Sequence, residues 1–237
     1  MQVSTSTHLG MVREQNEDSV LALPDLSLFA VADGMGGHRG GKTASELIVE
    51  ELKKQAEEKP PQKSMDLAAM LTRINLRIRE VAAADPSLEG MGSTCSVILI
   101  QKGRLYVAHV GDSRVYLVRG NQLQQITLDH RAIQKLIDEG TLSEAEAEYH
   151  PWRNILTRSM GAEDNVEIDL YERDLVDGDQ LLICSDGLTG MLSEPTILDL
   201  VTAGNDLQAT ADALVAGANE NGGADNISVV LILYSGD

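Results

Sequence analysis

The stretch Leu26-Ser27-Leu28-Phe29-Ala30-Val31-Ala32-Asp33-Gly34-Met35-Gly36-Gly37-His38-Arg39-Gly40-Gly41 joins an apolar, strand-like run to an aspartate. It then sets five glycines within eight residues, directly before a helical pattern. Three other places repeat its central feature, an aspartate at the boundary of an apolar run. They are Asp112 in the turn Gly111-Asp112-Ser113-Arg114, Asp186-Gly187 after QLLICS, and Asp225-Asn226 ahead of ISVVLILY. Carboxylates brought repeatedly to strand–loop junctions, beside glycines that let the backbone approach closely, suit hard divalent cations. The glycine-rich loop fits no nucleotide-binding pattern, since neither G-x-G-x-x-G nor G-x-x-x-x-G-K-[ST] can be laid on it. An aspartate at that point would also repel a pyrophosphate unless a cation intervened.

A strand-end Asp-Gly by itself is more often a plain turn. Number and position change the balance. If the strands that Asp33, Asp186 and Asp225 border are neighbours in one sandwich, their carboxylates converge at one edge. All-oxygen ligation then selects Mg²⁺ or Mn²⁺ over zinc. Zinc is further disfavoured because the five histidines show no ligand spacing and neither Cys95 nor Cys184 belongs to a C-x-x-C.

Working outward, strand-like runs are expected near residues 2 to 6, 18 to 23, 27 to 32, 94 to 100, 104 to 110, 114 to 119, 166 to 171, 180 to 185 and 227 to 234. Helical periodicity covers 43 to 57, with capping-box spacing at Thr43 and Glu46, and 65 to 83, with Pro60-Pro61 between the two. Two more helices are expected from Ser193-Glu194-Pro195 to Gly204, and from Asp206 to about Asn221-Gly222-Gly223. Adjacent strands set apart from paired helices predict an α+β protein, two antiparallel sheets sandwiched with helices outside. Residues 128 to 165 interrupt the pattern with a polar, helix-leaning insert that carries a Ser143/Glu146 capping box and reads as a flap.

The 237 residues, 43% hydrophobic and 24% charged, fit one folded domain, 1–237. A net charge of −18 without a Lys/Arg cluster disfavours nucleic acid as a partner. The N-terminal MQVSTSTHLG has no leader pattern, no apolar run reaches bilayer length, and both cysteines lie in apolar runs, so a cytoplasmic protein without membrane anchoring is expected. Cysteine-phosphatase chemistry fails because Gln101 and Gly190, not arginines, stand six residues after Cys95 and Cys184. Asp177-Gly178-Asp179 reads as a turn rather than a nucleophilic aspartate motif.

Arg13-Glu14-Gln15-Asn16-Glu17-Asp18 adds a guanidinium able to hold phosphate bidentately, near metals whose outer waters Glu17 and Asp18 could orient. The ordered set R-x-x-N-E-D (Arg13 to Asp18), D-G-M-G-G-H (Asp33 to His38), G-S-T (Gly92 to Thr94), V-G-D-S-R (Val110 to Arg114), S-D-G-L (Ser185 to Leu188) and D-N-I-S-V-V (Asp225 to Val230) resembles the PP2C-type (PPM family) metal-dependent serine/threonine protein phosphatases, in their bacterial single-domain branch.

The resemblance implies a four-layer α-β-β-α sandwich with a two-metal centre of Mg²⁺ or Mn²⁺ at one end. By similarity, Asp33 bridges both metals, the Gly34 carbonyl binds the second, and Asp186 and Asp225 bind the first, while Glu17 and Asp18 act largely through water. Bacterial relatives commonly show a third, weaker metal, for which Asp112 and Asp186 match the ligands. The implied reaction is direct attack of a metal-bridging hydroxide on phosphoserine or phosphothreonine in proteins, with Arg13 holding the phosphoryl oxygens. Animal members place a histidine directly after the Asp-Gly as general acid; Met35 stands there here, and His38 or a metal-bound water takes that place. A monomer acting on several phosphoproteins is expected. A phosphoprotein-binding pseudophosphatase and a broader phosphoester or phosphotyrosine hydrolase are the alternatives.

Overall fold

The computed structural model describes residues 1–36, 40–138, 140–143, 146, 150–152, 155–204 and 206–236. One sheet runs β1 (Gln2–His8), β11 (Ile227–Leu233), β10 (Gln180–Cys184), β7 (Arg114–Arg119), β8 (Gln122–Gln125). The other runs β2 (Asp18–Leu23), β3 (Leu28–Met35), β5 (Cys95–Gln101), β6 (Arg104–Val110), β9 (Asp169–Asp174), with the two-residue β4 (Gly92–Ser93) on the end of β3. All the strand pairs are antiparallel.

Three apolar layers separate four layers of secondary structure. Helices α1 (Gly40–Glu58) and α2 (Ser64–Ala84) bury Ile48, Leu52, Leu71, Ile74 and Ile78 against the β3 sheet. Phe29, Val31, Ile98, Val107, Ile183 and Val230 fill the space between the sheets. Beyond the second sheet, α5 (Glu194–Ala203) and α6 (Leu207–Glu220) bury Ile197, Val201, Leu214 and Val215 against it. This is the expected α+β sandwich. Alternation along each strand explains it: in β3, Phe29 and Val31 face the other sheet while Leu28, Ala30 and Ala32 face the helices.

Several elements differ in extent from the sequence expectation. Helix α1 starts at Gly40, three residues before Thr43, so the Thr43/Glu46 pair lies inside the helix. The glycines permit this entry: a Cβ on Gly41 would stand 2.7 Å from Glu17 Oε2 and 2.7 Å from the Gly34 carbonyl carbon. Strand β3 continues through Asp33 and Gly34 to Met35, because Asp18 pairs opposite Asp33 and β4 pairs opposite Gly34 and Met35. Strand β9 lies at 169–174 rather than 166–171, fixed by its register with β6 from Arg104↔Asp174 to His109↔Asp169. Strand β8 is polar and flanks the sheet, and β4 is too short to show a period.

Between β8 and β9 lie α3 (Ala132–Asp138) and the isolated bridge Arg131↔Leu156. The Ser143/Glu146 box is reciprocal: Ser143 N–H donates to Glu146 Oε2 at 2.9 Å, and Glu146 N–H to Ser143 Oγ at 3.3 Å. Ser193 and Asp206 accept the expected cap bonds from Thr196 and Ala209. Among the described residues, no helix is long and apolar enough to cross a membrane.

Candidate metal centre

Register brings the chemistry to one end of the sandwich. The start of β2 pairs with the end of β3, and the end of β10 with the starts of β7 and β11. Asp18, Asp33, the Gly111–Ser113 turn, Asp186 and Asp225 are therefore carried to a common rim. There a cleft of ≈ 890 Å³ is lined by Arg13, Glu17, Asp33, Gly34, Asp112, Asp186 and Asp225, with Val12, Thr94 and Leu156 among its walls. Asp186 also opens a single helical turn, α4 (Asp186–Thr189), which the sequence did not announce.

The residues expected from the sequence fall into three groups. Asp33, Gly34, Asp112, Asp186, Asp225, Glu17 and Arg13 line the cleft. Asp18 sits just behind it, 9% exposed, its Oδ2 accepting 2.7 Å from Ser185 Oγ. Its Oδ1 is buried without a hydrogen-bond partner, although the Ser228 hydroxyl lies near enough to favour the ionised carboxyl. His38 lies outside the described residues. Arg13 does not stand free: its NH2 group donates to Asp225 Oδ2 at 2.6 Å, an exposed pair that neutralises one acid of the cluster.

The electrostatics are those of crowded like charges. Burial pushes Asp33 well above the usual carboxylate range, and repulsion from Asp18, Asp186, Asp112 and Asp225 pushes it further. Asp33 and Asp186 are half-buried in the cleft wall. Burial, reinforced by Asp225, raises Asp186, whose carboxyl is within hydrogen-bonding reach of Asp33. Asp18 and Asp112 are each pushed up to about 7, again chiefly by burial and then by Asp186. Like charges set opposite one another in a sheet, as Asp18 and Asp33 are, destabilise it. Among the described residues, no three His, Cys, Asp or Glu side chains already close into a cation cage. The donor set nevertheless fits divalent cations: it is all oxygen, it is anionic, and it includes one orphaned buried carboxylate oxygen.

Glycine is required at one point of this floor. A Cβ on Gly34 would stand 2.6 Å from the Glu17 carbonyl oxygen and closer still to that of Gly41, so β3, the Glu17 loop and α1 can meet only there.

Two organisers escaped the residue-by-residue reading. Asn226, 5% exposed, accepts from Glu17 N–H at 2.8 Å and donates to the Leu9 and Gln15 carbonyls at 2.9 and 3.0 Å, shaping the loop that presents Arg13. Thr94 Oγ1 accepts from Asp33 N–H at 3.0 Å and bonds Ser113 Oγ at 2.6 Å, linking the Asp33 strand to the Asp112 turn. Their signal was position alone, one beside Asp225 and the other inside G-S-T. Asp179 of the discarded Asp177-Gly178-Asp179 motif is a buried partner of Arg119 at 2.7 Å.

Comparison with known proteins agrees with this arrangement. Residues 12–222 match the family model for protein phosphatase 2C. The chain is 37% identical to the serine/threonine phosphatase stp of Listeria welshimeri serovar 6b, over 98% of its own length and 95% of that protein. It superposes with a TM-score of 0.90 on the Mycobacterium tuberculosis serine/threonine phosphatase PstP/Ppp, at 38% identity and 97% coverage of both chains. The TM-score is 0.89 against the catalytic domain of PstP in complex with two manganese ions, at 37% identity, covering 97% of this chain and 96% of that one. With six motifs in order along the sequence, five aspartates gathered at one end of an α-β-β-α sandwich, and relatives matched over nearly their whole length, the chain belongs to the protein phosphatase 2C family.

Proposed function

We propose that this chain hydrolyses phosphoserine and phosphothreonine in proteins at the cleft between the sheet ends, with divalent cations held by Asp33, the Gly34 carbonyl, Asp186 and Asp225, and a third by Asp112 with Asp186. The observation that carries the reading is the convergence of Asp33, Asp112, Asp186 and Asp225 on one cleft, where their like charges call for positive charge. A relative of the same fold was solved with two manganese ions, which supports Mn²⁺ or Mg²⁺ here. When bound, such cations supply an acidified water as nucleophile near neutral pH and neutralise charge on the phosphoryl group.

The chain's own groups do the rest. Arg13 exchanges its contact with Asp225 for the phosphoryl oxygens, and its fork fixes their orientation. Asn226 and Gly34 keep the Arg13–Asp18 loop and the Asp33 strand in contact. Glu17 and Asp18 orient solvent in the floor. We read the insert between β8 and β9 as a flap of a single domain; of its described residues, Leu156 lines the cleft, which supports that reading. His38 is the candidate proton donor to the departing oxygen; a His38→Gln chain that keeps the alkaline limb of its pH–rate profile assigns that role to water. The protein acts as a monomer in the cytoplasm, and a dimer peak on sizing overturns the first of these.

The deciding experiment is phosphate release from a phosphothreonine peptide with Mn²⁺, with Mg²⁺ and with excess chelator, for the native chain and Asp33→Ala. Release that needs the metal and Asp33 is expected. Binding of the peptide without release under any metal refutes catalysis in favour of a recognition protein. Equal turnover of a phosphotyrosine peptide widens the substrate class.

A further inference from the structure

Behind Asp112 lies a polar assembly that none of the roles above uses. Gly111 takes φ +112°, and a Cβ there would stand 2.5 Å from the Thr94 side chain, so the turn carrying Asp112 is pressed against its neighbour and open to few residues. His130, 6% exposed, grips this turn twice. Its backbone N–H donates to the Gly111 carbonyl at 2.8 Å, and its ring Nδ1 accepts from Gly111 N–H at 3.1 Å.

The ring's tautomer follows from that second bond. Nδ1 must be bare to accept, so the proton sits on Nε2, which stands 3.2 Å from Asp169 Oδ2. The Arg158 NH1 group, 3.3 Å from Nε2, then cannot bond the ring and gives its hydrogen to Asp169 Oδ1 at 2.7 Å instead. Asp169 also accepts from Tyr171 at 3.1 Å, which anchors it at the start of β9. The same short segment carries the chain that returns across the cleft: Thr157 N–H donates to the His130 carbonyl at 2.7 Å, Ala132 N–H to Ile155 at 2.8 Å, and Arg131 bridges Leu156. Asp129, 3% exposed, holds Arg114 at 2.8 Å and also Arg131.

We infer that His130 is a positioning residue: its Nδ1, oriented by Asp169, fixes the Gly111 amide and so sets where Asp112 presents its carboxylate to a cation, while its backbone ties that setting to the Leu156 side of the cleft. This rests on the metal-centre reading above. Partners of this kind, which orient a ligand without touching the metal, commonly alter metal affinity by about 10- to 100-fold.

Two replacements separate the acceptor from mere bulk. Asparagine places its Oδ1 where Nδ1 stands and keeps an acceptor for Gly111; glutamine places its amide where Nε2 stands and keeps only the Asp169 side. Calorimetric Mn²⁺ titration of the whole chain, read at its weakest step, should give His130→Asn an affinity close to the native one and His130→Gln a loss of about tenfold. In ¹⁵N-resolved spectra of the metal-free protein the Gly111 amide proton should shift upfield in His130→Gln and little in His130→Asn. His130→Gln with native Mn²⁺ affinity and an unmoved Gly111 resonance overturns the proposal, as does an equal loss in both variants. Should His130→Gln fail to fold, Asp169→Ala, which leaves the ring but removes its orienting acceptor, must weaken the same step or the proposal falls. A native chain that binds no Mn²⁺ refutes the metal-centre reading and the proposal with it, an outcome distinct from any difference among the variants.

Discussion

Replacing Asn226 with alanine tests how the loop bearing Arg13 is held. The amide is 5% exposed and makes three side-chain hydrogen bonds, to Glu17 N–H at 2.8 Å and to the Leu9 and Gln15 carbonyls at 2.9 and 3.0 Å. At about 1 kcal/mol net for each, Asn226→Ala should cost about 3 kcal/mol. With an unfolding entropy of about 2.1 cal/mol/K per residue, 237 residues give about 0.5 kcal/mol/K, so Tm should fall by about 6 °C. Calorimetry in excess chelator reads this directly. Trypsin cutting after Arg13, which is already exposed, should speed up in parallel because two of the lost bonds restrain residues 15 and 17. Asn226→Asp keeps an acceptor for Glu17 but has no donor for Leu9 or Gln15, so it should retain part of the loop order and lose the rest. A Tm for Asn226→Ala within about 1 °C of the native value, with unchanged cleavage, would refute the view that this amide holds the loop.

Saturating Mn²⁺ at about 100 times its Kd should add about 2.7 kcal/mol of stability, or about 5 °C in Tm, reversed by chelator and abolished in Asp33→Ala; a Tm indifferent to Mn²⁺ contradicts a cation site in the folded state. Gly34→Ala should lower Tm by at least about 5 °C even in chelator, because the new methyl would meet the Glu17 and Gly41 carbonyls, which are backbone and cannot swing aside; a native melting curve refutes that packing. His109 is fully buried and its pKa is pushed down to about 4, chiefly by burial and then by His130. Its folded pKa lies below the unfolded value near 6.5, so its contribution is whole above that pH and is lost as pH falls through about 4. The unfolding free energy of the native chain minus that of His109→Gln should therefore drop by about 3 kcal/mol between pH 7 and pH 4, measured by urea titration, and a flat difference would show that the ring is protonated in the fold.

Much of this molecule could be read along the chain because its strands alternate and its helices carry their own stops. Ser193, Asp206, Gly204 and Pro60-Pro61 all mark boundaries where the sequence says they should. The features that could not be read are those decided by a partner far away. Strand β9 takes its register from β6, and its last three residues, Glu172, Arg173 and Asp174, carry no apolar signal. Helix α1 begins in glycines, poor helix formers, because Gly41 must lie against Gly34. The site follows the same division. The aspartates announce themselves by repeating at strand boundaries, whereas Asn226, Thr94 and His130 act through bonds to backbone amides that only the fold brings within reach. The pairing of Arg13 with Asp225 likewise joins residues 212 positions apart.

That separation bears on how the protein is made. Among the described residues strand β1 pairs with β11 alone, from Gln2↔Leu233 to His8↔Ile227, so β1 waits for β11 to be made. At ribosomal speeds of roughly 5–20 residues per second the wait is on the order of 10 to 40 s, far longer than local helices need to form. The β3 sheet and its helices α1 and α2 can assemble during that interval, since β2, β3, β5, β6 and β9 all precede β10. A nascent chain would thus hold Asp33 and Asp112 in a half-built sandwich, with its N-terminal segment unpaired and Arg13 lacking its acid partner. On the proposal above, the cation site closes in one late event, when β11 slots between β1 and β10 and delivers Asp225 and Asn226 together, so a message cut short before that strand would yield no partially active enzyme.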